Sequence, residues 1–184
     1  MALGFLIVGA VIVLIVLFFA GTFNLLVRSR NRVQNGWYQI DIQLKRRIDL
    51  IPNLVETVKG YAAHEREIFE KIAEARALSI GAKGPAEAAK ADNQLSATLK
   101  TFFAVAENYP DLKANQNFLK LQEELAHSEN KIAFARQFYN DVVLDYNNRV
   151  QMFPTNIIAG MFKFKPAEFY KISEEEKGVP KVRF

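Results

Sequence analysis

The sequence predicts an all-α protein in which a single N-terminal transmembrane helix leads into an antiparallel up-down bundle of long helices. Three observations carry that expectation. The first 27 residues hold no ionisable side chain. The remainder repeats apolar residues at helical spacing over several heptads. No window alternates apolar and polar residues between turn formers, as a half-buried strand would.

The anchor comes first in the chain. Leu3 to Gly21 is nineteen residues without charge or proline, and a helix of that length covers roughly 28 Å at 1.5 Å per residue, the thickness of a bilayer's hydrocarbon core. Nothing basic precedes Leu3 and no small-x-small cleavage site follows, so the segment reads as retained rather than removed as a signal peptide. The anchor is placed at 1–27, with the span itself at about 3–23. Charge then sets orientation. Arg28, Arg30 and Arg32, with Lys45, Arg46 and Arg47 against Asp41, give +5 over residues 28–47, leaving −1 for the residues beyond. Positive residues favour the inner side, so the expected topology is single-pass in the cytoplasmic membrane, N-terminus outside and C-terminal domain in the cytoplasm. Anionic lipid explains the basic cluster as well as a polynucleotide would, and no nucleic-acid partner is expected.

A bundle at 28–165 follows. Helix A carries apolar residues at Trp37, Ile40, Leu44, Ile51, Leu54, Val58, Tyr61, Ile68 and Ile72, and is expected to run unbroken to about Ser79 with a bend at Pro52. Gly81-Ala-Lys-Gly-Pro85 forms a loop that delivers Pro85 to the first turn of helix B, whose stripe is Leu95, Leu99, Phe102, Ala106 and Tyr109. Tyr109-Pro110-Asp111 reverses the chain, with Asp111 expected to cap helix C. That helix holds its repeat from Phe118 to Phe153. Phe153-Pro-Thr-Asn156 then ends it and offers a cap to a short helix D near Ile157–Phe162. Connections this short favour antiparallel neighbours. The closing stretch, 166–184, interleaves aromatics with lysines and is expected to pack on the bundle or to dock a partner.

Two stretches, RNRVQNGWYQIDIQLKRRIDLIPNLVETVKGYAAHE (Arg30 to Glu65) and LQEELAHSENKIAFARQFYNDVVLDYNNRVQMFP (Leu121 to Pro154), resemble the LemA family closely. YPDLKANQNF, KPAEFY and VPKVRF extend the likeness over nearly the whole chain. The resemblance implies a bacterial-type single-pass membrane protein with a helical-bundle domain and no established enzymatic activity. It also implies a setting: some members are encoded beside membrane metalloproteases, and one branch takes part in magnetosome formation. The present chain is shorter than that branch, and a magnetosome role is not expected of it.

No catalytic constellation stands out. His64-Glu65 is followed by Ile68 where a zincin helix needs its second histidine. Glu124 and His127 have the spacing of a di-iron bundle, but that site needs the motif twice, and position 61 is tyrosine. The zero cysteine count removes disulfides, thiolate metal sites and cysteine nucleophiles. The nine glycines form no phosphate-binding loop, and the five serines form no nucleophile elbow. No cofactor or metal is expected.

The polar candidates are Arg46, Arg47, Asp49 and Asn53 around Pro52, facing Arg136, Tyr139, Asn140 and Asp141 on helix C. Buried charges must be paired. An Arg–Asp network would fix register and satisfy the carbonyl that Pro52 frees at Ile48; a ligand or partner pocket is the functional alternative. The leading expectation is a non-enzymatic scaffold or adaptor for envelope complexes, with the bilayer, other membrane proteins, a membrane protease system or a second copy as partners. The alternatives are a metal-dependent or hydrolytic enzyme in the bundle core, and a membrane-shaping protein that binds anionic lipid.

Overall fold

A computed structural model describes residues 1–171 of the chain, and among them every regular element is helical: α1 (Ala2–Lys59), α2 (Arg66–Gly81), α3 (Gly84–Ala106), α4 (Pro110–Lys113), α5 (Gln116–Gln151) and α6 (Thr155–Met161). The part of the closing stretch that includes Val-Pro-Lys-Val-Arg-Phe184 lies outside the described residues. Two compact units share the long helices. Among the described residues, one joins Met1–Trp37 to Phe138–Glu168; the other joins Tyr38–Gln137 to residues 169–171. α1 and α5 each contribute to both units.

In the second unit the side-chain pairs give the topology directly. Arg76 of α2 reaches Ile48 of α1, and Lys59 lies over Phe69, so α1 and α2 are antiparallel. Phe69 meets Phe102 and Glu65 meets Tyr109, which reverses α3 against α2. Phe103 meets Phe118 while Asp92 meets Arg136, which reverses α5 against α3. The result is an up-down-up-down bundle. Its core is aliphatic and aromatic: Ile51, Leu54, Val58, Ile72, Leu95, Phe102, Leu112 and neighbours exclude water from the centre.

Helix A is not continuous to Ser79. It ends at Lys59, and Gly60–Glu65 turns the chain into α2. Val58 accepts from the Tyr61 and Ala62 N–H groups at 3.0 and 2.9 Å, which closes the last turn. Gly60 carries the highest helix cost short of proline. Ala62 is fully buried at the turn, whereas Tyr61 is exposed and takes a bond from Asn115 at 2.9 Å. The apolar repeat runs through the break because two antiparallel helices, not one, use it to face the same core.

Caps also differ from expectation. Asp111 falls inside the single turn of α4, and Asn115 caps the long helix instead: its Oδ1 accepts from the Phe118 N–H at 3.0 Å. Thr155 does not cap α6. Its hydroxyl donates to the Arg149 and Met152 carbonyls, the second at 2.9 Å, and so finishes α5. Pro85 does open α3, and the Lys83 N–H before it donates to Glu87 at 2.9 Å. Gly84 takes φ +76°, a conformation that favours glycine.

In the first unit α1 is exposed from Met1 through Phe18, and it contains a stretch long and apolar enough to cross a membrane. Burial begins at Thr22 and is complete at Leu26. Gly36 lets α5 approach: a Cβ there would lie 3.3 Å from Val142 Cγ2 and 3.4 Å from Tyr139 Cδ2. Trp37 packs edge-on against Tyr139. Helix α6 ends in a Schellman turn, in which Lys163 has φ 57° and the Phe164 N–H donates to the Ala159 carbonyl at 2.9 Å.

Candidate functional site

Helix α3 buries Ala88, Asp92, Leu95, Leu99 and Phe102 on one face, so Asp92 occupies a core position in an otherwise apolar stripe. It is 2% exposed. A lone carboxylate there would be strongly disfavoured, and its surroundings show how it is kept. Arg47 of α1 donates to Oδ1 at 2.8 Å, Arg136 of α5 donates to Oδ2, and the Tyr170 hydroxyl donates to Oδ2 at 3.0 Å. Arg47 also pairs with Glu129 at 2.8 Å and donates to Ser96 at 3.0 Å. Among the described residues, two guanidiniums thus meet two carboxylates.

The electrostatics follow from that packing. Burial opposes the Arg136 charge most strongly, but Asp92, Tyr170 and Glu129 together outweigh it and the guanidinium's pKa is raised. Burial pushes the Tyr170 phenol well above its ordinary value, and the adjacent Asp92 charge adds to the rise. Tyr170 therefore acts as a neutral donor, with Arg136 stacked over its ring at 5.2 Å. A cavity of about 20 Å³ adjoins Arg47 and Asp92. That is room for one water, not for an organic ligand.

The candidate residues separate. Arg47 and Arg136 converge on one acid, which is Asp92 of α3 rather than Asp49 or Asp141, both of which are exposed. Arg46, Pro52 and Asn53 are exposed as well. The carbonyl that Pro52 frees at Ile48 accepts instead from Arg76 Nε of α2, at 3.3 Å. Sequence spacing does not single out Asp92 or Tyr170: the stripe of helix B starts at Leu95, and Asp92 lies one turn before it.

Tyr139 and Asn140 belong to the other unit, where Tyr139 is part of a clamp on the segment after α6. Its hydroxyl donates to the Glu168 carbonyl at 2.8 Å, and Tyr146 donates to the Lys165 carbonyl at 2.9 Å. Asn147 takes both sides of Ala167, accepting its N–H at 2.7 Å and donating to its carbonyl at 2.9 Å. A side-chain amide here does what a neighbouring strand would do. Burial raises the Tyr139 phenol to about 12, helped by the negative charge of Glu168. Arg28, Arg30 and Arg32 are exposed on α1, and Arg30 lies over the Phe164 ring at 5.4 Å. His64 and His127 are both exposed, and no cluster of three metal-ligating side chains occurs among the described residues.

A long helix with a bare apolar end, a four-helix bundle and an ion network around buried Asp92 define a class of helical protein with a built-in N-terminal apolar helix. The family model that matches is that of the LemA family, over residues 36–184. The chain belongs to the LemA family. It is 26% identical to a Protein LemA of Metamycoplasma hominis, over 86% of this chain and 73% of that one. It is 25% identical to Magnetosome protein MamQ 2 of Paramagnetospirillum magneticum, over 81% and 64%. Against Magnetosome protein MamQ of Magnetospirillum gryphiswaldense the identity is 24%, over 80% and 64%. The chain thus spans just under two thirds of the magnetosome relatives' length.

Proposed function

We propose that this protein is a non-enzymatic scaffold or adaptor, tethered by α1 in the cytoplasmic membrane with its helical domain on the cytoplasmic side. The observation that carries the tether is the exposure of every side chain from Met1 to Phe18 in an otherwise folded chain. Water disfavours so large an apolar surface, and lipid accommodates it. Arg28, Arg30 and Arg32 follow directly and favour the inner face for the domain.

The adaptor role draws on the interior and on the surface. Asp92 is consumed by Arg47, Arg136 and Tyr170, beside a cavity with room for no more than one water. Such a site is suited to fixing register rather than to turnover. Meanwhile Tyr38 and Ile42, one turn apart on α1, and Phe134 on α5 stand exposed in the second unit. Tyr38 and Ile42 share one helix face, and contiguous exposed apolar groups are the kind of surface that takes protein contacts. Arg46 lies one further turn along the Tyr38–Ile42 face, and the partner class is other envelope proteins, a membrane protease system among them.

Photo-crosslinking residues placed at Arg46 and Phe169, both exposed, test this in living cells. Reproducible adducts with a small set of envelope proteins, identified by mass spectrometry, are expected from Arg46. Recovery of only the free monomer from both positions overturns the adaptor role. Release of the protein by alkaline carbonate overturns the tether.

A further inference from the structure

Helix α6 has two faces of opposite character. Ile158 and Ala159 are buried, while Ile157 and Met161, one turn apart, point away with Met152 and Phe153 before them and Phe162 after. These five side chains are between 52% and 79% exposed. Five large apolar groups on so short a stretch form a patch of the kind that seeks a partner.

The level of the patch on α1 is fixed by contacts within the same unit. Phe162 stacks on Phe23 with ring centroids 4.7 Å apart, and Phe164 meets the same ring at 5.9 Å. Phe23 closes the apolar run of α1, and burial against the rest of the unit begins beside it at Thr22. The patch therefore sits at the height where hydrocarbon gives way to headgroups. Its rim is basic: Lys163 and Lys165 flank Phe164, and Arg28 and Arg30 are exposed on α1, the latter over the Phe164 ring.

We propose that α6 and its flanking turns, residues 152–164, form a second membrane contact: an interfacial element whose Ile157–Met161 face enters the acyl boundary while the four basic residues engage anionic headgroups. The proposal rests on reading α1 as membrane-spanning. Continuity with Phe23 and the complementary charge favour a bilayer over a protein partner. The element would hold α1 at one depth and one rotation, which a single helix with a featureless apolar surface does not do for itself.

The absence of cysteine makes the test direct. Single-cysteine variants Leu14→Cys, Asp141→Cys, Ile157→Cys and Met161→Cys of the full chain are spin-labelled and reconstituted in phosphatidylethanolamine–phosphatidylglycerol vesicles. Relaxation by oxygen is then compared with relaxation by a water-soluble nickel chelate. The expected result is an oxygen-to-nickel ratio at positions 157 and 161 several-fold above that at 141 and approaching that at 14. A high ratio at 14 with water-like ratios at both 157 and 161 overturns the interfacial element and leaves the span intact. A water-like ratio at 14 removes the span, and this inference with it. Spin–spin broadening at 157 or 161 that vanishes on dilution with unlabelled protein means that a second copy covers the face, which overturns the lipid assignment.

Discussion

Asp92 stands between two guanidiniums, and its removal would leave Arg47 and Arg136 buried without the carboxylate they share. Breaking a buried ion pair from one side costs about 3–5 kcal/mol, whereas replacing the whole set by apolar groups is often neutral. Asp92→Asn should therefore destabilise the protein by about that amount in thermal unfolding followed by circular dichroism in detergent. Adding Arg136→Met in the same background should recover part of the loss. Two equal and additive losses would mean that the two residues do not act on each other. Tyr170→Phe removes one donor to a charged acceptor and should cost about 1.5–3 kcal/mol. The residues around Pro52 were visible in the sequence because proline and arginine are conspicuous there. Asp92 was not, since one acid among twenty draws no notice until the stripe it interrupts is traced back a full turn.

The short polar residues at the ends and edges of elements carry the next level of specification. Asn115 caps α5 by accepting from Phe118, so Asn115→Ala should lower stability by about 0.5–2 kcal/mol. Asp111→Ala, at the position expected from sequence to cap, should change stability by less than about 0.5 kcal/mol, because Asp111 is an exposed residue of a single turn. The opposite order of the two losses would return the cap to Asp111. Asn147 holds both backbone groups of Ala167. Asn147→Ala should speed amide exchange at Ala167 by roughly tenfold or more while the centre of α5 stays protected, since each lost bond contributes about 1 kcal/mol. Exchange unchanged at Ala167 would show that Tyr139 and Tyr146 suffice to hold the segment. Caps are short-range features, yet sequence places one of them four residues away. Asp and Asn are near-equal cappers, and only the turn of α4 decides which of them meets a free helix end.

At the scale of the whole molecule, the raised phenol of Tyr139 links stability to alkaline pH. Its pKa is about 10 unfolded and about 12 folded, so its contribution is fully present below about pH 10 and is lost as pH rises through 12. The contribution at stake is about 2–3 kcal/mol. Thermal unfolding at pH 9 and pH 11 should show a smaller alkaline loss for Tyr139→Phe than for the parent, against a lower starting stability. An identical slope in both would remove Tyr139 as a source of the dependence.

What the sequence alone determined was composition-driven: helix throughout the described residues, an apolar N-terminal stretch long enough for a bilayer, and the loop that delivers Pro85 to α3. Each is set by local propensity or by the period of apolar residues, which neighbours in the chain fix among themselves. Tertiary structure alone decided the rest. It broke helix A at Gly60, because two antiparallel helices bury the same stripe that one straight helix would leave half exposed. It supplied Arg76 to the carbonyl that Pro52 freed. It also drew Asp92 and Tyr170 to Arg47 and Arg136, since groups 34 to 78 positions apart in the chain meet only when the bundle closes and water is excluded from between them.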